Sequence, residues 1–239
     1  MKCLELTLPS PEANLACDEA LIDLCENGFE DEILRFWEPK DYFVVLGYAN
    51  KASEEVHLGV CLEKQIPVLR RCSGGGTVVQ GPGCLNYSLV LRIRDAGPLL
   101  SITQTNAFIM KAHKEAIESV IMRPVEVQGH TDLSIHQLKF SGNAQRRKRH
   151  CLIFHGTFLL DFDLPLLEEL LPIPSKQPSY RGNRSHGNFL VNLKIAPAPV
   201  KECLKKAWNI KGALDTIPWR AIDELVKERY SCPEWNYRF

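Results

Sequence analysis

A chain of 239 residues, 45% hydrophobic and 24% charged, has the composition of an ordinary folded protein, and it is long enough to bury a large core in one domain. Its 29 lysines and arginines balance 29 aspartates and glutamates, so no net field draws it to nucleic acid or to an anionic membrane. No apolar run approaches the ~18 residues of a membrane span, and any partner is expected to be recognised locally.

An amphipathic helix is expected over residues 13–27, with Leu15, Leu21, Ile22 and Leu24 facing inward, Asp18, Glu19 and Asp23 facing water, and Gly28 ending it. Strands follow at about 33–37 and 43–47, then a helix at about 54–65 and a strand at 68–71. Residues 84–91 alternate as another strand. Ser101 caps the longest helix, expected to run to 120 with Ile102, Ala107, Phe108, Met110 and Ile117 among polar residues. Residues 125–127, 138–145 and 151–160 read as neighbouring strands of one sheet. From 164 to 191, Pro165, Pro172, Pro174 and Pro178 and a polar run from Tyr180 to Asn188 read as a loop over the sheet edge. Helices at about 200–208 and 219–230 close the chain. This order predicts an α/β fold, a mixed sheet with flanking helices rather than a doubly wound one.

The stretch Arg70-Arg71-Cys72-Ser73-Gly74-Gly75-Gly76-Thr77-Val78-Val79-Gln80-Gly81-Pro82-Gly83 is the part that packing explains least. Two cations, a hydroxyl and three glycines set bare backbone N–H groups beside positive charge, a cradle for a carboxylate or phosphate. A tight turn between the strand-like runs Val68-Leu69 and Val78-Val79 is the competing reading. Gly81-Pro82-Gly83 adds a second sharp bend, and two glycine turns among three strand-like runs point to backbone approached closely by a ligand. Neither the Walker loop nor the Rossmann fingerprint fits, since no Gly-Lys-Ser/Thr follows and the glycine spacing is wrong.

This loop resembles the hallmark of the lipoate–protein ligase A family, within the biotin and lipoate protein ligase superfamily: two arginines, a serine and three glycines after a strand. The likeness extends to Asn14-Leu15-Ala16-Cys17-Asp18-Glu19, Leu34-Arg35-Phe36-Trp37-Glu38-Pro39 and Val44-Val45-Leu46-Gly47-Tyr48-Ala49-Asn50 upstream. Downstream it includes Gly129-His130-Thr131-Asp132-Leu133, Lys139-Phe140-Ser141-Gly142-Asn143-Ala144-Gln145 and His155-Gly156-Thr157-Phe158-Leu159-Leu160. The matches lie between about residues 10 and 195. The resemblance implies a large catalytic domain of biotin and lipoyl ligase architecture, with residues 1–239 as a single unit. A short helical segment is expected over about 199–239; the family usually continues there into a small accessory domain, and no such domain is expected here.

The activity implied is ATP-dependent activation of lipoate to lipoyl-AMP, followed by transfer to a lysine of a lipoyl carrier domain. ATP and lipoate are then the bound molecules, and Mg²⁺ is held through phosphates with no dedicated protein ligands. A separate accessory chain is a further expected partner. The resemblance makes Lys139 the catalytic ammonium, placed to offset charge as carboxylate meets α-phosphate; a solvated surface lysine is the other reading. It places Arg71, Gly74, Gly75, Gly76, Thr77, Val78, Val79 and Gly142 at the substrate and nucleotide. Arg70 reads either as part of the site or as an anchor to a nearby acid. Ser73 reads equally as a donor to a carboxylate oxygen or as a turn-stabilising hydroxyl. Asp132 reads as an acceptor for a ligand amine or metal-bound water, or as a turn cap. Gln80 departs from the histidine often found there in the family. His155 reads as a pocket residue or a satisfied core histidine.

Nine cysteines without a C-x-x-C pair argue against a zinc site and a disulfide framework, and with no leader in the opening residues a reducing cytoplasm is expected. Cys72 and Cys84 beside the loop are expected to be small buried thiols. Two other functional classes stay open: a cysteine-dependent or adenylate-independent octanoyl or lipoyl transferase, and a catalytically silent acyl-binding protein. The basic run Arg146-Arg147-Lys148-Arg149-His150 reads as a solvated hairpin tip, with docking of an acidic carrier domain as an alternative.

Overall fold

A computed structural model describes residues 1–239 as a mixed α/β fold built on a seven-stranded sheet and a three-stranded one. The large sheet contains β1 (Lys2–Glu5), β2 (Ile33–Trp37), β6 (Cys84–Arg92), β7 (Glu126–Gln128), β8 (Asp132–Ile135), β9 (Leu138–Arg147) and β10 (Cys151–Leu159) in the order β1-β2-β6-β10-β9-β8-β7. The small sheet holds β3 (Phe43–Leu46), β4 (Val68–Arg70) and β5 (Val78–Gln80) in the order β4-β3-β5. The early helices are α1 (Pro11–Glu26), α2 (Ala52–Glu55), α3 (Leu58–Glu63) and α4 (Ile102–Ile121). Later come α5 (Leu164–Leu170), α6 (His186–Phe189), α7 (Pro197–Ala207), α8 (Trp219–Leu225) and α9 (Pro233–Asn236).

Strands β6 and β10 pair antiparallel at the centre, from Cys151 opposite Arg92 to Leu159 opposite Cys84. Both faces of this pair are covered, which is why β6 is buried from Cys84 to Leu91 instead of alternating with water. On one face Val90 and Ile153 pack against Leu21 and Ile22 of α1. On the other, Leu89 and Phe154 pack with Ile109 and Ile117 of α4 and with Val200 and Leu204 of α7. A separate core joins Val44, Leu46, Val68 and Val79 of the small sheet to Leu166, Leu167 and Leu170 of α5. No helix is long and apolar enough to cross a membrane.

Several expectations are corrected. Helix α1 starts earlier, because Ser10 accepts from the Ala13 amide and Pro11 sits in the first turn, where its missing N–H costs nothing. Its acids Asp18 and Glu19 are buried, not wet: Asp18 faces the sheet, where Arg35 and His155 meet it, and Glu19 meets β9 and the C-terminal turn. Asp18 pairs with Arg35 at 2.6 Å, and Glu19 accepts from Arg146 at 2.9 Å, from the Tyr230 hydroxyl at 2.7 Å and from Arg229. The helix expected at 54–65 is two, α2 and α3, broken where Val56 turns extended and the His57 amide donates to Leu170 O. The segment from 164 contains α5 and α6, with Pro165 tolerated in the first turn of α5. The last helix changes to a wider π turn over Val226–Tyr230, which delivers Tyr230 to Glu19. Strands β1 and β8 had no expected counterpart.

The basic run is largely spent inside the molecule. Arg146 bonds Glu19, Arg147 donates to Thr105 Oγ1 at 3.2 Å and Lys148 pairs with Asp23, leaving Arg149 and His150 exposed at the β9–β10 turn. It forms no continuous cationic patch.

Candidate functional site

A cavity of about 600 Å³ opens between the β9–β10 end of the large sheet, strand β5 and the α5–α6 segment. Arg71 and the run from Gly76 to Gln80 line it from the small sheet, while Asp132, Lys139 and Gly142 line it from the large one. Ser73, Gly74 and Gly75 are not on its wall. Its remaining lining includes Leu15, Trp37 and Val45 on one side and Leu171, Phe189 and Leu190 on another.

The glycine loop is organised from within by Arg71. Its Nη2 donates to Gly74 O at 2.6 Å and to Gly76 O at 2.8 Å, and its Nε donates to Ser73 Oγ at 3.0 Å. Burial pulls this guanidinium down to about 10, still charged at neutral pH. Gly75 adopts φ +88, and a Cβ there would come within 2.9 Å of Arg71 Nη2, so glycine is required on both counts. Outside helices and strands, no backbone hydrogen bond is donated by Gly74, Gly75 or Gly76, although the Gly74 and Gly76 carbonyls are bound to Arg71. The three glycines are exposed beside a buried cation, and of them only Gly76 reaches the cavity wall.

Ser73 is 1% exposed, and its hydroxyl lies 2.6 Å from His155 Nε2. Asp18 Oδ2, an acceptor 3.5 Å from His155 Nδ1, favours the tautomer with the proton on Nδ1, whose Nε2 accepts from Ser73. Arg35 closes the chain on Asp18. The network Arg35–Asp18–His155–Ser73–Arg71 thus ties α1, β2 and β10 to the glycine loop, and Ser73 acts here as the loop's anchor. His155 and Asp18 both reach the cavity wall.

Arg70 points elsewhere. It is fully buried, donates to the carbonyls of Gly47, Asn50, Trp235 and Asn236, and receives the Trp235 indole N–H on its own carbonyl at 2.8 Å. It clamps the last residues to the loop after β3, and its partners are carbonyls rather than an acid.

Lys139 turns into the cavity, where Asp132 Oδ1 holds its ammonium at 2.8 Å and the Tyr180 hydroxyl donates to Asp132 Oδ2 at 2.8 Å. Burial, with the Asp132 charge, raises the Tyr180 phenol above its ordinary value, so it remains a donor. Asp132 opens β8 and serves as this strut rather than as a turn cap. The lysine side chain crosses directly over Gly142: a Cβ there would sit 2.7 Å from Nζ and 2.8 Å from Cε. Gly142→Ala is therefore expected to displace the ammonium at little cost to folding, since the far end of a flexible chain gives way. If Lys139 carries chemistry, turnover falls by roughly 10- to 100-fold with an unchanged melting temperature, the scale of an ångström's misplacement.

Gln80 closes a polar triangle, donating to Thr157 Oγ1 at 2.7 Å and accepting from Asn86 at 2.9 Å, and it presents no ring to the cavity. No cysteine lines the cavity. Burial pushes Cys72 up to about 11 and Cys84 up to about 12, as befits inert thiols. No group of three His, Cys, Asp or Glu side chains gathers to hold a metal. Sequence reasoning missed the contribution of Arg181, His186 and Phe189 from the proline-rich segment, all three on the cavity wall. The Tyr-Arg and Arg-Ser-His clusters in that segment were the available signal. Its end is stitched to the site, the Val191 amide donating to Lys139 O at 2.9 Å.

Residues 10–205 match the family model described as lipoyl protein ligase A/B catalytic domain. Among curated proteins, the octanoyltransferase LipM of Halalkalibacterium halodurans is 23% identical, over 95% of either chain. Among solved structures, the bi-partite lipoate protein ligase of the archaeal lipoylation system of Thermoplasma acidophilum, described with its E2 lipoyl domain, superposes with a TM-score of 0.85. It is 26% identical, covering 99% of this chain and 95% of that one. A lipoate-protein ligase A bound with ATP superposes with a TM-score of 0.81 at 27% identity, covering 99% of both.

Proposed function

The chain belongs to the lipoyl protein ligase A/B catalytic-domain family, and from that premise we propose that it is a lipoate–protein ligase using ATP. One observation carries the reading: the Lys139 ammonium and the amide cradle of Gly76 face the same cavity, where an acyl carboxylate and an α-phosphate can meet. The ATP-bound neighbour at 27% identity supports the nucleotide.

In the first half-reaction a lipoate carboxylate oxygen attacks the α-phosphorus of ATP, a P–O bond forms, and the bond to pyrophosphate breaks. Lys139 offsets the charge that accumulates as two anions approach, and Asp132 keeps the ammonium in place before they arrive. The Gly76 amide receives a phosphate or carboxylate oxygen, and Arg71 fixes the loop that presents it. In the second half-reaction the amine of a carrier lysine attacks the carbonyl of lipoyl-AMP, the C–O bond to AMP breaks, and the proton lost by the amine balances the AMP that departs. Magnesium would be held through the nucleotide's phosphates, where it would offset their charge, since no group of three His, Cys, Asp or Glu side chains gathers to hold it.

Residues 1–239 act as one catalytic unit in this reading. The bi-partite neighbour supports a lipoyl domain as acceptor and a separate accessory chain as partner. A transferase using an octanoyl thioester is the second reading, favoured by the LipM relative. The absence of a thiol from the cavity wall weighs against its cysteine-dependent form. Purified protein mixed with a lipoyl domain and weighed by mass spectrometry separates the two. The ligase modifies the domain from free lipoate only when ATP is present, with or without an added accessory chain. Modification from an octanoyl thioester without ATP, and none from lipoate with ATP, would sink the ligase reading.

A further inference from the structure

Strand β8 pairs with β9 through Leu133 opposite Ser141, Ser134 opposite Lys139 and Ile135 opposite Leu138, with an irregularity between Leu133 and Ser134. Continued beyond Leu133, the register it makes with Ser141 sets Thr131 opposite Asn143, yet no backbone hydrogen bond joins those two residues. Side chains close the sheet there instead. Asn143 Nδ2 donates to Thr131 O, and Thr131 Oγ1 donates back to Asn143 O at 3.0 Å. Asp132 follows Thr131 directly and Gly142 directly precedes Asn143. The link therefore clamps both supports of the Lys139 ammonium, the carboxylate that holds it and the glycine it crosses.

What orients the Asn143 amide comes from two strands away. The Tyr87 hydroxyl of β6 donates to Asn143 Oδ1 at 2.5 Å, which leaves Nδ2 to face Thr131. In the sheet Tyr87 lies opposite Gly156 of β10, and Gly156 lies opposite Asn143. Glycine is required between them, since a Cβ at Gly156 would come within 1.8 Å of Asn143 Oδ1. Tyr87 is itself fixed: it is fully buried, with its ring 4.7 Å from His113 and 5.4 Å from Phe158. Burial raises its phenol well above the ordinary value, so it remains a donor. Phenylalanine would fill the same space among these rings, so packing alone does not account for the hydroxyl.

We propose that Tyr87, through Asn143 and Thr131, is a positioning residue for the Lys139–Asp132 pair and holds the ammonium at the point in the cavity where it acts. The proposal rests on the ligase reading for what the ammonium does, and on the contacts above for how it is held.

The test compares wild type, Tyr87→Phe and Thr131→Val, each variant removing one hydroxyl of this chain of contacts and little volume. Acetic anhydride is added to each protein, and acetylation of Lys139 is read by peptide mass spectrometry against that of the exposed Lys40. The ion pair shields the Lys139 nitrogen, so loosening it is expected to speed Lys139 acetylation about threefold or more in both variants. Tyr87→Phe is also expected to lower kcat for lipoyl transfer by about tenfold, the scale of a small misplacement, with the Michaelis constants for lipoate and ATP within about twofold of wild type. In a Lys139→Met background the same substitution is expected to lower transfer no further, because the group it positions is gone. Equal Lys139 acetylation in all three proteins overturns the proposal. So does a Tyr87→Phe loss of the same size with and without Lys139, which would make the tyrosine a support of the fold at large. A wild-type chain that transfers nothing from lipoate and ATP, while its Lys139 acetylation still answers to Tyr87, removes the ligase reading and leaves the positioning in place.

Discussion

Lys139→Met is expected to lower lipoyl transfer to the carrier by a factor on the order of 10² to 10³, the effect of deleting one preorganised electrostatic group. Methionine keeps the length of the stem and removes only the ammonium. The fold is expected to survive, because Asp132 retains the Tyr180 hydroxyl and the lysine is a quarter exposed on its side chain. ATP–pyrophosphate exchange, measured beside transfer, tells which half-reaction needs the group: if Lys139 offsets charge at the α-phosphate, exchange falls with transfer. Asp132→Asn keeps an acceptor for Tyr180 but loosens the lysine, and an intermediate loss is expected. A Lys139→Met protein that still exchanges pyrophosphate and loads the carrier at the wild-type rate removes this lysine from the mechanism.

Lys139 and the glycine loop were legible because their chemistry is local. Three glycines after two arginines announce a special backbone whatever packs around them, and in the structure Gly75 has the positive φ that only such a sequence tolerates well. The strand pattern was equally plain where length supported it, as in β6, β9 and β10. What stayed hidden is decided by partners far along the chain. Asp18 and Glu19 carry the signature of a helix's wet face, and nothing near them says otherwise. Their burial depends on Arg35 from β2, on Arg146 from a strand 127 residues away and on a C-terminal turn 211 residues away.

Arg181 was illegible for a related reason. Prolines and polar residues mark a segment that avoids long helices and strands, but they do not say whether it covers a site or hangs in water. The covering comes from α5, whose Leu166, Leu167 and Leu170 bury against the small sheet and draw the following residues across the cavity. Arg70 beside Arg71 shows the same limit at closest range. The two arginines are neighbours in the chain, but β4 sends one to the C-terminal residues and the other into the glycine loop.

Arg35→Ala is expected to destabilise the fold by about 3–5 kcal/mol, the scale of breaking a buried ion pair and stranding its partner. Arg35 is fully buried and donates to Asp18 at 2.6 Å, Asn14 Oδ1 at 2.7 Å, Asn14 O at 2.8 Å and Leu6 O at 3.0 Å, so its loss removes four hydrogen bonds at once. At roughly 2–4 °C per kcal/mol for a chain of this size, the melting temperature should fall by about 10 °C, and the urea midpoint should fall with it. Removing both charges, Arg35→Met with Asp18→Asn, should recover part of the loss, since what costs most is the unpaired carboxylate. The pH dependence follows from the same pair. Burial alone pushes the Asp18 carboxyl up, but the Arg35 charge, with the His155 hydrogen bond, brings it net below its ordinary value of 3.8. A depressed carboxyl contributes stability above its unfolded pKa and loses it as the pH falls through the folded one, so this contribution should fade as the pH falls below about 4 and be absent from Asp18→Asn. Since Asp18 also orients His155, which accepts from Ser73, the first consequence of protonation is expected at the glycine loop. An Arg35→Ala protein that melts within about 2 °C of wild type would mean that the four acceptors find other donors, and the network would then not be what seats the loop.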